Sequence, residues 1–330
     1  MVAVAKLKNK MQRLIIVYNP RSSKHAKINQ EVISPAMKLK GYMVGKFEVK
    51  HVSLDYNASN LSKIIADGDL VISAGGDGTS SVALNGILLS KKSATLAVLG
   101  YGNFNDFAHT LGYTSFAEVI SDFENTNPTI LYPLEASIDD AHYRYAACYF
   151  TIGMFAESTE LFDTKKTRGT LKSGKKGITY SLKELAKWYF KNKKRSFLPD
   201  SIRLNDKPLN TFATLKSGKK AARAKGDKVS DIIFVNGETV AKLMKGGNFW
   251  KRKNEFLLSV SKLSSFHRLT RFISRSRFKR IPGKIVSNPQ RITFDDVSEI
   301  EIQGEGEYQK LVIKNLTVQK SDVGIKVLAK

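Results

Sequence analysis

The run Leu70-Val71-Ile72-Ser73-Ala74-Gly75-Gly76-Asp77-Gly78-Thr79 constrains this chain more than any other stretch. An apolar strand runs straight into a turn that only glycine-rich backbone can make, with one acid at its apex. Gly75, Gly76 and Gly78 leave no Cβ in the way, so amide groups there can approach a ligand closely. The spacing predicts a helix over Ser80–Leu89, and a helix N-terminus attracts anions. Strand, glycine loop and helix together suggest a phosphate cradle. The Lys-Ser/Thr ending of a P-loop and the G-x-G-x-x-G spacing of a dinucleotide site are both absent.

Strand and helix patterns alternate from residue 12 to residue 132. Strands are expected at Arg13–Tyr18, Lys46–Val52, Leu70–Ser73 and Leu96–Leu99, with helices at Ala26–Lys40, kinked at Pro35, and at Ser59–Ala66. Such alternation predicts a parallel sheet that binds ligands at the C-terminal ends of its strands. Beyond residue 133 short alternating runs dominate, broken by one helix near Ser181–Lys191, and these suggest an antiparallel sandwich. The expected fold is therefore α/β: a Rossmann-like parallel domain over 1–132, completed by 318–330, and a β-rich domain over 133–317. Two domains suit 330 residues at roughly 150 each.

Composition narrows the partners. Cys148, the only cysteine, lies in the apolar run Tyr145–Phe150 and reads as an inert buried thiol. No run approaches the ~18 apolar residues of a membrane span, and Leu14–Tyr18 is too short for a secretion signal, so a cytoplasmic, at most peripheral, protein is expected. Net charge is +24, from 54 Lys and Arg against 30 Asp and Glu, which calls for a polyanionic neighbour. The basic residues cluster around Lys165–Lys176, along Tyr180–Arg195 with Trp188, and along His267–Arg280 among Phe266, Leu269, Phe272, Ile273 and Phe278. Basic amphipathic helices of this kind suit an anionic membrane surface. Nucleic acid is the weaker expectation, because no zinc-finger, RRM, KH or helix-turn-helix pattern accompanies them. The five histidines lack metal-ligand spacing.

Three loops follow strands at one predicted sheet edge: Asn19-Pro20-Arg21-Ser22-Ser23, Gly75–Thr79, and Gly102-Asn103-Phe104-Asn105-Asp106-Phe107. In order and placement they resemble the catalytic domain of the diacylglycerol kinase family, the lipid kinases related to sphingosine and ceramide kinases. Asn85-Gly86, Thr151-Ile152-Gly153, Val235-Asn236-Gly237, Gly246-Gly247, Gln303-Gly304-Glu305 and Ile325–Leu328 extend the resemblance along the chain. It implies an ATP- and Mg²⁺-dependent kinase acting on a lipid hydroxyl. Asn19, Pro20, Arg21, Ser22, Ser23, Gly75, Gly76, Asp77, Gly78, Thr79, Ser80, Ser81, Asn103, Asn105 and Asp106 would then line the nucleotide cleft. By the same resemblance Lys251, Asn254 and Phe256 fall in the segment that binds a structural magnesium, with Asn254-Glu255 in place of the family's Asp-Gly. Gly100, Asn103, Ser81-Val82 and Gln303 also depart from the family pattern.

Asp77 is the first choice for accepting or orienting the proton of the lipid hydroxyl. Glu305 is second, on the resemblance alone. Asp106, between a strand and a helix, is expected to cap that helix. The alternatives are an NAD kinase-like enzyme, or a catalytically impaired relative that binds lipid or nucleic acid. The oligomeric state is open, a homodimer included.

Overall fold

A computed structural model describes residues 11–162, 175–192, 197–199, 201–209, 228–263, 265–287, 289–305 and 307–330. The basic residues Lys165, Lys166, Arg168 and Lys172, and Lys193-Lys194-Arg195, lie outside them.

The N-terminal half builds a six-stranded sheet from β1 (Gln12–Tyr18), β2 (Tyr42–Glu48), β3 (Leu70–Gly75), β4 (Thr95–Gly100) and β5 (Thr129–Leu131), with a strand from the far end of the chain, β18 (Ile325–Val327). The order is β2-β1-β3-β4-β18-β5, parallel except for β5. All six residues of β3 are buried, as a central parallel strand requires. After β1 the chain forms α1 (His25–Ile28), a wider turn at Asn29–Ile33 and α2 (Ser34–Ala36). A single helix to Lys40 does not form. Pro35 has no amide for the helical ladder, and the Ser34 amide bonds to Asn29 O instead, five residues back. Helix α3 (Leu54–Ser62) starts earlier than expected because the Ser53 hydroxyl accepts the Tyr56 amide at 3.2 Å and caps it. Strand β2 is likewise earlier, set by its seven-residue register with β1.

Helix α4 (Asp77–Ser90) begins directly after the glycine turn and is buried from Thr79 to Leu88. Such a helix needs partners on every side. It packs on α3, where Gly86 leaves room for Leu61. It also meets the second half of the chain, where Asn85 accepts the Tyr145 amide at 3.0 Å and donates to Tyr145 O at 3.1 Å. Helices α5 (Asp106–Leu111) and α6 (Phe116–Asn125) complete this half.

The remaining strands are β6 (Leu134–Ile138), β7 (Ala141–Ala146), β8 (Tyr149–Gly153), β9 (Ile202–Leu204), β10 (Lys207–Pro208), β11 (Asp231–Val235), β12 (Thr239–Val240), β13 (Met244–Lys245), β14 (Glu255–Ser261), β15 (Lys284–Ser287), β16 (Gln290–Gly304) and β17 (Glu307–Lys320). All but β12 and β13, which form a separate hairpin, make one antiparallel sheet ordered β15-β14-β11-β8-β16-β17-β6-β7, with β9 on β16 and β10 on β9. The β16–β17 register slips between Thr293 and Ser298. The sheet bends at such a slip, and residues from both sides of it, Ile292 and Phe294 with Phe150, Ile232 and Ile302, share one core. Helices α7 (Met154–Phe162), α8 (Lys175–Asn192) and α9 (Phe266–Phe278) lie outside the sheet. The chain then returns through β18 to pair with β4 and β5 of the first sheet.

Candidate active site

The glycine turn is built around a close backbone crossing. A Cβ on Gly102 would stand 2.5 Å from the Gly76 Cα, and one on Gly75 would strike the Thr79 side chain at 2.5 Å. Only glycine lets the second and third loops touch in this way. Asp77 does not point free from its turn. Its carboxylate accepts the Asn105 amide at 2.8 Å and the Phe107 amide at 3.5 Å. Asn105 sits at φ +58 and clasps Gly102 through its own amide group, at 2.6 and 3.0 Å. The first loop joins the same point through Lys24, whose ammonium donates to Gly102 O at 3.1 Å. Lys24 was missed in the sequence, although a cation directly after Asn19–Ser23 was a usable signal.

Within the first loop Asn19 accepts the Arg21 amide at 2.9 Å and Ser22 accepts the Lys24 amide at 3.2 Å. Pro20, Arg21, Ser23 and Asn103 are exposed on the same edge. Ser80 and Ser81 are not brought to the cleft. The Ser80 hydroxyl is taken up by Gly76 O and Ser73, and both serines are at most 2% exposed. Helix α4 starts at Asp77, three residues earlier than expected, which turns these hydroxyls inward.

Asp106 is not a helix cap. Asn105 holds the cap position, and the Asp106 carboxylate reaches instead to the β12–β13 hairpin, accepting from the Thr239 hydroxyl at 2.5 Å and the Lys242 amide at 2.8 Å. Its second oxygen is buried without a hydrogen-bond partner. Glu305 is the other long-range arrival. It occupies a left-handed turn (φ +46) at the end of β16, is 1% exposed, and accepts the Cys148 amide with Oε1. Its Oε2 has no hydrogen-bond partner. The hairpin tip also brings Glu307 against the first turn of α4, where a Cβ on Gly78 would lie 3.2 Å from its carboxylate.

These carboxyl groups share one desolvated region at the junction of the two sheets. Burial, then the charge of Asp106, raises the Asp77 pKa. Burial also raises Asp106. Glu305 is pushed up to about 8, mainly by burial, with the Asp77 charge acting in the same direction. Burial lifts the Cys148 thiol well above its ordinary value, in keeping with an inert thiol.

The segment expected to hold a structural magnesium does not suit one. Lys251 and Asn254 are exposed, the Lys251 ammonium lies 4.7 Å over the Trp250 ring, and Phe256 is fully buried core. The one carboxylate there, Glu255, pairs with Arg252 at 2.6 Å. A hard divalent cation needs several free oxygen donors, and here three cationic side chains flank an amide and an engaged acid. Among the described residues no group of three or more His, Cys, Asp or Glu is arranged to hold a metal.

Fold and site together define a two-sheet α/β architecture, with glycine-built loops at the edge of the parallel sheet and an acidic hairpin from the antiparallel sheet beside them. Residues 13–129 match the model of the diacylglycerol kinase catalytic domain. The resemblance to that family rests on this segment. The diacylglycerol kinase of Bacillus subtilis (strain 168) is 31% identical over 103 residues, which are 31% of this chain and 34% of that protein. The match thus spans about a third of the relative's length. The crystal structure of a diacylglycerol kinase from Bacillus anthracis str. Sterne superposes with a TM-score of 0.62 at 17% identity, covering 97% of both chains. A candidate diacylglycerol kinase from the same organism gives 0.63 at 16% identity and the same coverage. The fold is therefore common to nearly the whole chain.

Proposed function

We propose that the chain is an ATP-dependent lipid kinase that moves the γ-phosphate of Mg²⁺-bound ATP to a hydroxyl of diacylglycerol or a related lipid. The observation that carries this reading is the convergence of Asp77, under the three loops, with Glu305 from the antiparallel domain. In the reaction the lipid hydroxyl oxygen bonds to the γ-phosphorus, the bond from that phosphorus to the β-bridging oxygen breaks, and ADP leaves. The hydroxyl proton passes to Asp77. Asp77 accepts amides at its turn while Glu305 is held by the Cys148 amide, so the two carboxyl groups sit in different surroundings. Burial raises Glu305 to about 8 and Asp77 to about 7, so of the two Asp77 gives up its proton first as pH rises and is the one able to act as base. Amides of Asn105 and Phe107 orient that carboxylate. The amides of Gly76 and Gly78, the Thr79 hydroxyl and Arg21 would neutralise the phosphates, the main task in phosphoryl transfer.

The lipid would arrive from an anionic membrane surface. Phe190 of α8 packs against Phe266 of α9, with ring centroids 4.9 Å apart, which brings two basic helices distant in sequence into contact. Lys183, Lys187 and Lys191 are exposed on α8, and Arg268, Arg271, Arg275 and Arg277 on α9. Phe278 adds an apolar contact at 73% exposure. Each such cation adds about 1 kcal/mol of attraction to an anionic bilayer. Among the described residues no helix is long and apolar enough to cross a membrane.

Incubation with γ-labelled ATP, Mg²⁺ and a panel of lipid alcohols and NAD tests the proposal. Labelled phosphatidic acid or another lipid phosphate is expected. NADP as the sole product, or no transfer at all, would overturn it.

A further inference from the structure

Lys320 ends β17 where the chain leaves the antiparallel sheet for β18, and it is 1% exposed. Its ammonium donates to Tyr132 O, in the other connection between the two sheets, to Asn236 Oδ1, and to Phe249 O at 3.2 Å. One group thus ties both inter-sheet connections to the loops after β11 and before β14. Asn236 is fully buried and passes the contact on. Its Nδ2 donates to Tyr132 O at 3.0 Å and to Ala147 O at 2.7 Å, and the Asn236 and Gly237 amides donate to Cys148 O at 2.7 and 2.9 Å. The Ala147–Cys148 turn held in this way is the one that presents the Cys148 amide to Glu305.

We infer that Lys320 is a positioning residue for Glu305, acting through Asn236 and the Ala147–Cys148 turn to fix where the antiparallel-domain carboxyl meets Asp77. The chain of contacts is continuous and buried throughout. Taking an ammonium out of water is costly, and burial drives the Lys320 pKa down to about 7. Its acceptors include two backbone carbonyls and a side-chain amide, so it serves the geometry of the junction. A displacement of about 1 Å at a reacting group costs on the order of 10²-fold in rate, so a small relaxation of this turn is enough to be measured.

The kinetic arm of the test rests on the kinase reading; the thiol arm does not. Lys320→Met removes the donor. Asn236→Asp keeps an acceptor for Lys320 but drops the bonds donated to Tyr132 and Ala147, in a side chain of the same shape. Far-UV circular dichroism identifies the folded variants. The expected result is a kcat at least ten-fold lower with the KM for ATP within about two-fold of wild type, because the nucleotide loops lie in the other domain. The sole cysteine, Cys148, should react with dithionitrobenzoate at least ten-fold faster, reporting the loosened turn. A folded Lys320→Met or Asn236→Asp protein with wild-type kcat overturns the inference, and so does one with the wild-type thiol rate. A wild-type protein that phosphorylates no lipid overturns the kinase reading, while the thiol rates still decide whether the relay exists.

Discussion

Replacing Glu305 by glutamine should change how stability depends on pH. Glu305 is 1% exposed and its pKa rises from 4.5 to about 8, with burial the largest cause. The folded protein therefore holds a proton that the unfolded chain releases near 4.5. Between these values the unfolded state binds fewer protons, so this group's contribution to stability is complete below about 4.5 and falls as pH rises to about 8. At roughly 1.4 kcal/mol per pH unit the loss reaches about 5 kcal/mol, a ceiling that water entry on ionisation reduces. The Glu305→Gln side chain keeps the neutral shape and an oxygen for the Cys148 amide but has nothing to ionise. Urea titrations of both proteins at half-unit steps from about pH 5 to 9 measure the difference, which cancels the other titrating groups to first order. The two should be nearly equal at the acid end, with the variant gaining about 2 kcal/mol or more at the alkaline end. A constant gap across the range would mean that Glu305 does not change its protonation between folded and unfolded states in this window. A variant that loses ground as pH rises would show that Glu305 is ionised and compensated in the folded state.

Three further outcomes follow from the site. Gly102→Ala places a Cβ 2.5 Å from the Gly76 Cα and 2.7 Å from the Asn105 side chain. It should cost about 1–3 kcal/mol by overpacking and weaken ATP binding at least ten-fold, checked by thermal melts and calorimetry; wild-type values for both would contradict the loop crossing. Arg271→Glu with Arg275→Glu should weaken sedimentation with phosphatidylserine-containing vesicles and flatten its salt dependence, leaving binding to neutral vesicles unchanged. Excess EDTA should leave the melting temperature of the nucleotide-free protein unchanged, because Lys251–Phe256 offers no seat for a divalent cation; a drop of several degrees would restore a structural metal.

The features legible in the sequence are those written in short stretches of chain. An all-apolar run ending in Gly-Gly marks a central parallel strand and its turn, so the three loops and their common sheet edge could be read directly. Element ends were less legible where one cap or one missing amide decided them, as at Ser53 and Pro35. The partners of the acids were not legible at all. Asp106 had the local setting of a helix cap, yet its partners are 133 and 136 residues away, and no local pattern reports such a contact. Glu305 could be nominated by resemblance alone. Its burial follows from a left-handed turn after β16 and from an amide 157 residues away. Lys24 and Lys320 escaped notice for the same reason, and Asn236 was marked only as part of an Asn-Gly resemblance: each acts through a backbone carbonyl or an amide group, which any sequence could supply.

In the proposed reaction Asp77 takes the proton from a lipid hydroxyl at this junction. The most direct measurement compares the initial rate of labelled phosphate transfer from γ-labelled ATP to diacylglycerol in mixed micelles at neutral pH, for wild type and Asp77→Asn. The asparagine retains an oxygen for the Asn105 amide but cannot accept the proton. Wild type should transfer phosphate, and a variant that melts within a few degrees of it should do so at a rate roughly 10²-fold lower or less. Transfer at the wild-type rate by a folded Asp77→Asn protein would contradict it.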